Sequence, residues 1–155
     1  MTFNEILNKF RSESFTQKDK GTQFERLIRS WLLSDPRYSN LAKVWLWEDF
    51  PCRNDLGGND TGIDLVAKTD DGDYWAIQCK CYKEDAVIDK PAVDSFLATS
   101  SRQFKDPETF QTTSFARRMW ISTTNHWGKN AEESIQNQNP PLNRVGLVDL
   151  QNSPV

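Results

Sequence analysis

Two apolar runs joined by an Asp-Gly turn, in the middle of the chain, constrain the fold more than any other feature. The runs cover residues 63–69 and 74–82, and Asp70-Asp71-Gly72 separates them. A tight turn of this composition between two apolar segments predicts an antiparallel β-hairpin. Because apolar residues occupy positions on both faces of the second run, we expect this strand to lie in the centre of a sheet.

Polar side chains interrupt the hairpin at one end. Side chains alternate between the two faces of a strand, so Gln78 and Lys80 point to one face and Cys79 points to the other. A lysine near the end of an apolar strand needs a reason, because an unpaired buried charge is very unfavourable. Asp64, on the neighbouring strand, supplies that reason if a divalent cation lies between the two strands.

Patterns on either side of the hairpin predict a sheet with helices packed against it. The strongest helical signal is the spacing of apolar residues from Phe24 to Leu32, which Pro36 terminates. Helices are also predicted over residues 3–10 and from Pro91 onward, the latter with Phe104 on its apolar face. A further helix is predicted to begin at an Asn125 cap, with Trp127, Ala131 and Ile135 facing inward. Strands are predicted over residues 44–47, 119–122 and 145–150. Residues 11–20, 54–61 and 105–114 are predicted to be loops. The element order predicts an α/β fold, a mixed β-sheet flanked by helices.

Composition limits the class of protein. A chain of 155 residues is long enough for one domain with a core. The net charge of −3 and the pI of about 5.2 argue against a stand-alone nucleic-acid-binding protein, which is usually basic on at least one face. The N-terminus lacks an apolar signal region, and no apolar run approaches the ~20 residues of a membrane span. Three cysteines and one histidine form neither a disulfide framework nor a common zinc pattern, so we expect a cytoplasmic protein with reduced thiols and no membrane partner.

The polar residues of the hairpin suit metal-assisted hydrolysis of phosphodiesters. Mg²⁺ takes oxygen ligands, and a divalent cation offsets phosphate charge and lowers the pKa of water. Asp64 supplies a carboxylate, Gln78 an amide oxygen and Cys79 a backbone carbonyl. Lys80 is placed to orient the attacking water or to stabilise developing charge. A purely structural interpretation stays open, in which Asp64 bonds turn backbone while Gln78 and Lys80 line the solvated face of an edge strand.

An ordered set of short motifs resembles the PD-(D/E)XK nuclease superfamily. Its centre is Gly62-x-Asp64, thirteen intervening residues and then Gln78-x-Lys80, and the glutamine resembles the Mrr-like branch found in restriction enzymes. The further matches are Gly21-x-x-Phe24-Glu25, Ile121-Ser122-Thr123-Thr124 and Gly146-Leu147-Val148-Asp149-Leu150. The resemblance covers about residues 18–152 and implies the restriction-endonuclease-like core, preceded by a helix and loop over residues 1–17.

The resemblance implies a Mg²⁺-dependent endodeoxyribonuclease, with Mn²⁺ as a substitute, that acts on double-stranded DNA. From Phe50-Pro51 to Asp64, the chain further resembles the nuclease module of single-chain Type I-like (Type ISP) restriction-modification enzymes. Such enzymes carry helicase-like, methyltransferase and target-recognition domains after the nuclease. We therefore expect a longer polypeptide that delivers DNA to this domain, and a transient nuclease dimer for double-strand cleavage.

The resemblance also makes Glu25 a site residue that contacts the metal directly or through water. A second interpretation stays open, because Thr22-Gln23-Phe24-Glu25 is also a capping box for a helix N-terminus, with Arg29 placed to pair with Glu25. Glu48 and Asp49, at the end of a predicted strand, either add charge to the site or are solvated carboxylates.

The sequence contains no dense basic cluster for DNA. The dispersed candidates for phosphate contacts are Arg11, Lys18, Lys20, Lys83, Lys90, Arg102, Lys105, Arg117 and Arg118. His126 is a candidate general base, although chemistry with Lys80 and a metal does not require one. Two rival functions remain. The complete Asp64, Gln78 and Lys80 set argues against an inert DNA-binding or docking module, and the acidic pI argues against a junction-resolving or repair nuclease.

Overall fold

The computed structural model describes residues 3–12, 17–57, 62–80, 86–146 and 149–150. The helices within these ranges are α1 (Phe3–Ser12), α2 (Gln17–Ser34), α3 (Lys90–Ser100) and α4 (Lys129–Ser134). The strands are β1 (Leu41–Leu46), β2 (Leu65–Thr69), β3 (Tyr74–Lys80), β4 (Val87–Ile88), β5 (Gln103–Lys105), β6 (Thr112–Ser122), β7 (His126–Trp127) and β8 (Leu142–Val145). None of the described helices is both long and apolar enough to cross a membrane.

Six of the described strands form one mixed sheet in the order β1-β2-β3-β6-β5, with β8 also beside β6. The hairpin predicted from the Asp-Gly turn is confirmed, since β2 and β3 pair antiparallel. Strands β3 and β6 run parallel, with Gln78 opposite Trp120 and Lys80 opposite Ser122. Strands β4 and β7 form a separate two-stranded sheet. The α/β architecture with helices against a mixed sheet is therefore the one predicted.

The sheet separates two apolar cores, and β3 contributes to both. Ile77 and Cys79 are buried with apolar residues of α1 and α2. Tyr74 and Ala76 are buried on the other side, with residues of α3. The predicted alternation is confirmed, and Gln78 shares the α3 face because it lies two positions after Ala76.

The predicted last strand, residues 145–150, is wrong in its position. Strand β8 ends at Val145, and the described residues Asp149 and Leu150 are helical. The Asp149 carboxylate accepts a hydrogen bond from the Gly146 N–H at 3.0 Å, and the Leu150 N–H donates to the Gly146 carbonyl. An acidic side chain that accepts a hydrogen bond from the N–H three residues before it is a feature of helix N-termini. Residues 147–148 lie outside the described ranges.

The loop predicted over residues 105–114 is confirmed for residues 106–111, but Lys105 and residues 112–114 belong to two paired strands. Strand β5 runs antiparallel to the start of β6. Phe104 belongs to β5 and not to the apolar face of α3, and its ring centroid lies 5.1 Å from that of Phe115 on β6. The β-branched residues Thr112 and Thr113 favour this extension of β6 toward its N-terminus.

Two helix boundaries also differ from the prediction. Helix α4 begins at Lys129 after Gly128, and Trp127 lies in β7, so Asn125 is not its cap. Helix α2 begins at Gln17, within the segment predicted to be a loop. Helix α3 begins as predicted, with Asp89 accepting a hydrogen bond from the Ala92 N–H at its N-terminus.

Candidate active site

A cavity of about 340 Å³ opens at the edge of the sheet where β3 ends and β2 begins. Its walls come from α2, the end of β1, the 3-10 turn Trp47–Asp49, the segment before β2 and the end of β3. The lining residues are Thr22, Glu25, Leu46, Trp47, Glu48, Gly62, Ile63, Asp64, Gln78 and Lys80. The cavity therefore brings together Glu25, Asp64, Gln78 and Lys80, the side chains that the sequence analysis singled out.

Backbone hydrogen bonds hold Asp64 in line with the sheet. Its N–H donates to the Ile77 carbonyl and its carbonyl accepts from the Trp47 N–H, both at 2.9 Å. The preceding Gly62 has φ +80°, and a Cβ atom there would lie 2.9 Å from the Ser95 Oγ of α3. Glycine is therefore needed at this position, both for its backbone conformation and for the close approach of the helix.

The carboxylate of Asp64 is held by β3. Its Oδ2 atom accepts a hydrogen bond from the Cys79 N–H at 3.0 Å. Burial raises the pKa of Asp64 to about 6, although that hydrogen bond and the charge of Lys80 act in the opposite direction. Because burial makes the ionised form of Asp64 unfavourable, an additional positive charge nearby would stabilise the carboxylate.

Gln78 is buried next to this carboxylate with an acceptor that nothing satisfies. The side chain is 2% exposed, and its Oε1 atom has no hydrogen-bond partner among the described residues. Buried polar atoms are nearly always paired, so such an atom calls for an explanation. An unmodified amide oxygen is also a ligand for hard cations.

Glu25 lies in the cavity and not at the end of its helix. It is more than two turns into α2, so the capping-box interpretation of Glu25 does not apply. The predicted partner Arg29 donates from Nε to the Val44 carbonyl at 2.8 Å. Burial raises the pKa of Glu25 to about 7; the charges of Asp64 and Glu48 add to this effect, and Lys80 opposes it.

Other cavity residues were not all visible in the sequence. Glu48 and Asp49 are both solvent-exposed, but Glu48 lines the cavity and Asp49 does not, which separates two residues that the sequence left as a pair. Thr22 was missed as a lining residue, although its i, i+3 spacing from Glu25 places both on one helix face. Nothing in the sequence marked Trp47, which reaches the cavity because the chain turns after β1.

The donor set fits a hard divalent cation. Among the described residues, no group of three or more His, Cys, Asp and Glu side chains could hold a metal ion. The oxygen donors are instead the carboxylates of Asp64 and Glu25 and the orphaned amide oxygen of Gln78. Cys79 adds its backbone carbonyl, since the Lys80 carbonyl faces β6, where it accepts from the Thr123 N–H, and successive carbonyls alternate in direction.

The structure places the predicted DNA-contact residues and the candidate general base in different environments. Arg118 is buried and donates to Ser101, Gln138 and Pro140, so its prediction as a phosphate contact is wrong. His126 is exposed in β7. The remaining described candidates contact other parts of the chain. Lys90 forms an ion pair with Asp94, and Arg102 donates a hydrogen bond to the Leu56 carbonyl. Lys105 lies over the ring of Phe110, and Arg117 lies over the ring of Trp75. Lys83 and the side chains of Arg11, Lys18 and Lys20 lie outside the described part of the chain.

Residues 33–155 match a protein family described as restriction endonuclease. A search of curated proteins found no match.

Solved structures of two restriction enzymes are similar to this chain. One is the ATP-dependent Type ISP restriction-modification enzyme LlaBIII bound to DNA, with 30% identity and a TM-score of 0.68 over 99% of this chain and 8% of that chain. The other is the MspJI restriction endonuclease in complex with a 27-mer oligonucleotide, with 15% identity and a TM-score of 0.53 over 96% of this chain and 29% of that chain. The chain thus spans a small part of each, and the second similarity concerns the fold alone.

Proposed function

The chain belongs to the restriction endonuclease family, its fold is the restriction-endonuclease-like core, and from that premise we propose that the cavity at the end of β3 hydrolyses phosphodiester bonds of DNA with the help of a divalent cation. One observation carries the proposal. Gln78, whose amide oxygen has no hydrogen-bond partner among the described residues, lines one cavity with Glu25 and Asp64, two carboxylates whose pKa values are raised. A divalent cation bound here would stabilise both carboxylates and would offer the amide oxygen a partner.

Asp64, Gln78, Glu25 and the backbone carbonyl of Cys79 are the groups that would hold Mg²⁺, or Mn²⁺ in its place. When bound, such a cation would offset the charge of the phosphate and make water more acidic. Asp64 is the anchor in this scheme, because the Cys79 N–H already fixes the direction of its carboxylate.

Lys80 acts on the reacting atoms and not on the cation. Its ammonium group is a donor only and cannot ligate a metal. The positive charge of Lys80 opposes the rise in the pKa of both Glu25 and Asp64, and this electrostatic interaction supports a role for Lys80 at the site. We assign it to orienting the attacking water and to stabilising the charge that develops on the phosphate.

The substrate is double-stranded DNA delivered by other parts of a longer polypeptide. The similar Type ISP enzyme is ATP-dependent and was determined bound to DNA, and this chain corresponds to 8% of it. We infer that helicase-like, methyltransferase and target-recognition domains accompany the chain, and that two nuclease domains meet transiently for a double-strand break. The net charge of −3 supports delivery, since it gives DNA little long-range attraction.

Nicking of supercoiled plasmid by the full-length polypeptide tests this function. We expect conversion to open circles in Mg²⁺ or Mn²⁺ and none in EDTA. An inert docking module of the same fold would leave the plasmid intact under all three conditions, and cleavage that persists in EDTA would contradict the metal dependence.

A further inference from the structure

A second cavity, of about 210 Å³, lies beside the candidate active site on the same edge of the sheet. We call it the β6–β8 cavity; its lining includes Trp120, Ser122, Asn125, Trp127, Arg144 and Asp149. Trp120 is the register partner of Gln78, and Ser122 is the register partner of Lys80. Because neighbouring strands are about 4.8 Å apart, the two cavities open next to each other.

Trp120, one of the residues that line the β6–β8 cavity, carries an unsatisfied donor. Trp120 is 1% exposed, and its indole Nε1 has no hydrogen-bond partner among the described residues. The hydroxyl of Ser122 differs in this respect, because it donates to the Thr124 carbonyl at 2.8 Å. A ligand with an acceptor for the Trp120 N–H would provide a bond that the folded chain does not make.

The outer wall is aromatic and carries a guanidinium group. The ring of Trp127 is half-buried, with its centroid 5.5 Å from that of Trp120. The guanidinium carbon of Arg144 lies 5.2 Å from the centre of the Trp127 ring. Indole faces and guanidinium planes are the surfaces on which bases stack in proteins that bind single-stranded nucleic acid.

Charge and size favour a base over a phosphate. Arg144 is paired with Glu132 at 2.5 Å, which offsets its charge, and Asp149 adds a carboxylate to the lining. A phosphate would meet this negative charge, whereas a base brings uncharged acceptors on a planar ring. The volume is below the roughly 300–1,000 Å³ of pockets for drug-sized ligands, which suits a single base.

We propose that the β6–β8 cavity binds one unpaired nucleobase of the DNA strand whose backbone crosses the active site. The base accepts a hydrogen bond from Trp120 and stacks against Trp127, which fixes the register of the strand relative to Lys80 and Gln78. This inference rests on the proposed function for its biological setting, but its binding chemistry is measurable separately. It implies that strands with unpaired bases, at ends, gaps or melted sites, bind better than intact duplex, since extrusion from a duplex is unfavourable.

The test uses the 155-residue chain in EDTA, so that binding is measured without cleavage. The probe is a short single strand with one 2-aminopurine, whose fluorescence falls when the base stacks on an aromatic ring. We expect Trp127→Ala to weaken binding by about 5- to 150-fold, the range for loss of one stacked base. Trp120→Phe keeps an aromatic ring at this position but removes the donor, and should weaken binding by about 2- to 10-fold.

Matched controls separate these effects from changes in folding. Trp31→Phe removes an equally buried, unpartnered indole N–H from the α2-side core and should leave binding unchanged. Phe110→Ala removes an exposed aromatic ring in the β5–β6 turn and should also have no effect. A probe of the same length with abasic units in place of bases tests the wild-type chain without any substitution, and we expect its affinity to fall at least about 5-fold.

The inference is overturned if the wild type shows no detectable binding, or if it binds the abasic and base-containing strands equally. Unchanged binding by both Trp120→Phe and Trp127→Ala also overturns it. Asp64→Asn should keep the binding while losing nicking. Base binding through Trp120 and Trp127, with no nicking even when the chain is part of the full-length polypeptide, supports the cavity assignment and contradicts the proposed function alone. Normal nicking without base binding supports the proposed function and contradicts the cavity assignment.

Discussion

The Asp64 carboxylate accepts a hydrogen bond from the Cys79 N–H at 3.0 Å, so strand β3 orients the key acid that directly precedes β2. The bond involves backbone on the β3 side and therefore depends on the hairpin register and not on the side chain of residue 79. The position of Asp64 is consequently fixed as soon as the two strands pair. A site built in this way is in place before any ligand binds.

Asp64→Asn should stabilise the metal-free protein at about pH 8 and not at about pH 4. The folded pKa of Asp64, about 6, lies above its ordinary 3.8, so the folded state binds more protons and stability falls as pH rises between these values. Asparagine keeps an acceptor for the Cys79 N–H and removes the charge. We expect a gain of about 1–3 kcal/mol in the free energy of unfolding at the higher pH.

Urea unfolding in EDTA at both pH values measures this gain. Asp71→Asn, at an exposed carboxylate of the hairpin turn, is the matched control and should show no gain at either pH. Equal stability of Asp64→Asn and the wild type at the higher pH would mean that the carboxylate is not strained in the absence of metal.

Gln78→Leu should raise stability and weaken metal binding together. Leucine replaces the unpartnered Oε1 atom with an apolar group in a 2%-exposed position, and relief of such an atom is worth about 1–3 kcal/mol. Loss of the amide oxygen should lower Mn²⁺ affinity in a calorimetric titration. Gln78→Glu is the opposing variant, expected to bind Mn²⁺ more tightly and to be less stable without it. A Leu variant that binds Mn²⁺ like the wild type would remove Gln78 from the ligand set.

Lys80→Ala should abolish cleavage while Mn²⁺ binding stays nearly unchanged. The ammonium group donates hydrogen bonds and charge but does not ligate a cation. The same calorimetric titration checks this, with the exposed Lys43→Ala as a control that should alter neither property. If Lys80→Ala loses Mn²⁺ binding, the lysine holds the site together and has no separate chemical role.

The isolated chain should bind short duplex DNA weakly. Its net charge is −3, and non-specific affinity comes mainly from phosphate neutralisation, so we expect dissociation constants no tighter than roughly 10⁻⁴ to 10⁻⁶ M at physiological salt. Gel-shift titration measures this. Nanomolar binding, or efficient cutting by the chain alone, would contradict delivery by neighbouring domains and favour a stand-alone repair nuclease.

The centre of the site was predictable because it lies within one hairpin. The Asp-Gly turn sets the pairing of β2 with β3, and strand alternation then places Gln78 and Lys80 on one face. The mixed sheet was predictable for a related reason, since strands and helices alternate along the second half of the chain.

Features that depend on distant contacts were not predictable. Glu25 matched a capping box in the local sequence, but α2 extends to Gln17, and only packing against the sheet shows that Glu25 faces the cavity. The region after Val145 is apolar and reads as a strand, while the bond from Gly146 to the Asp149 side chain starts a helix. Arginine is usually a surface residue, which suggested that Arg118 contacts DNA. Its hydrogen-bond partners Ser101 and Gln138 are far from it in sequence, so its burial could not be predicted.

The most direct test of the account is the nicking rate of Asp64→Asn beside that of the wild type, both in the full-length polypeptide, at the same Mg²⁺ concentration and on the same supercoiled plasmid. The variant keeps the bond to Cys79 and should be folded, which circular dichroism and the unfolding measurement verify. We predict nicking by the wild type and a rate at least about 100-fold lower for the variant, the size of effect that follows loss of one key electrostatic group. A folded Asp64→Asn protein that nicks at the wild-type rate would contradict the assignment of this cavity as the nuclease site.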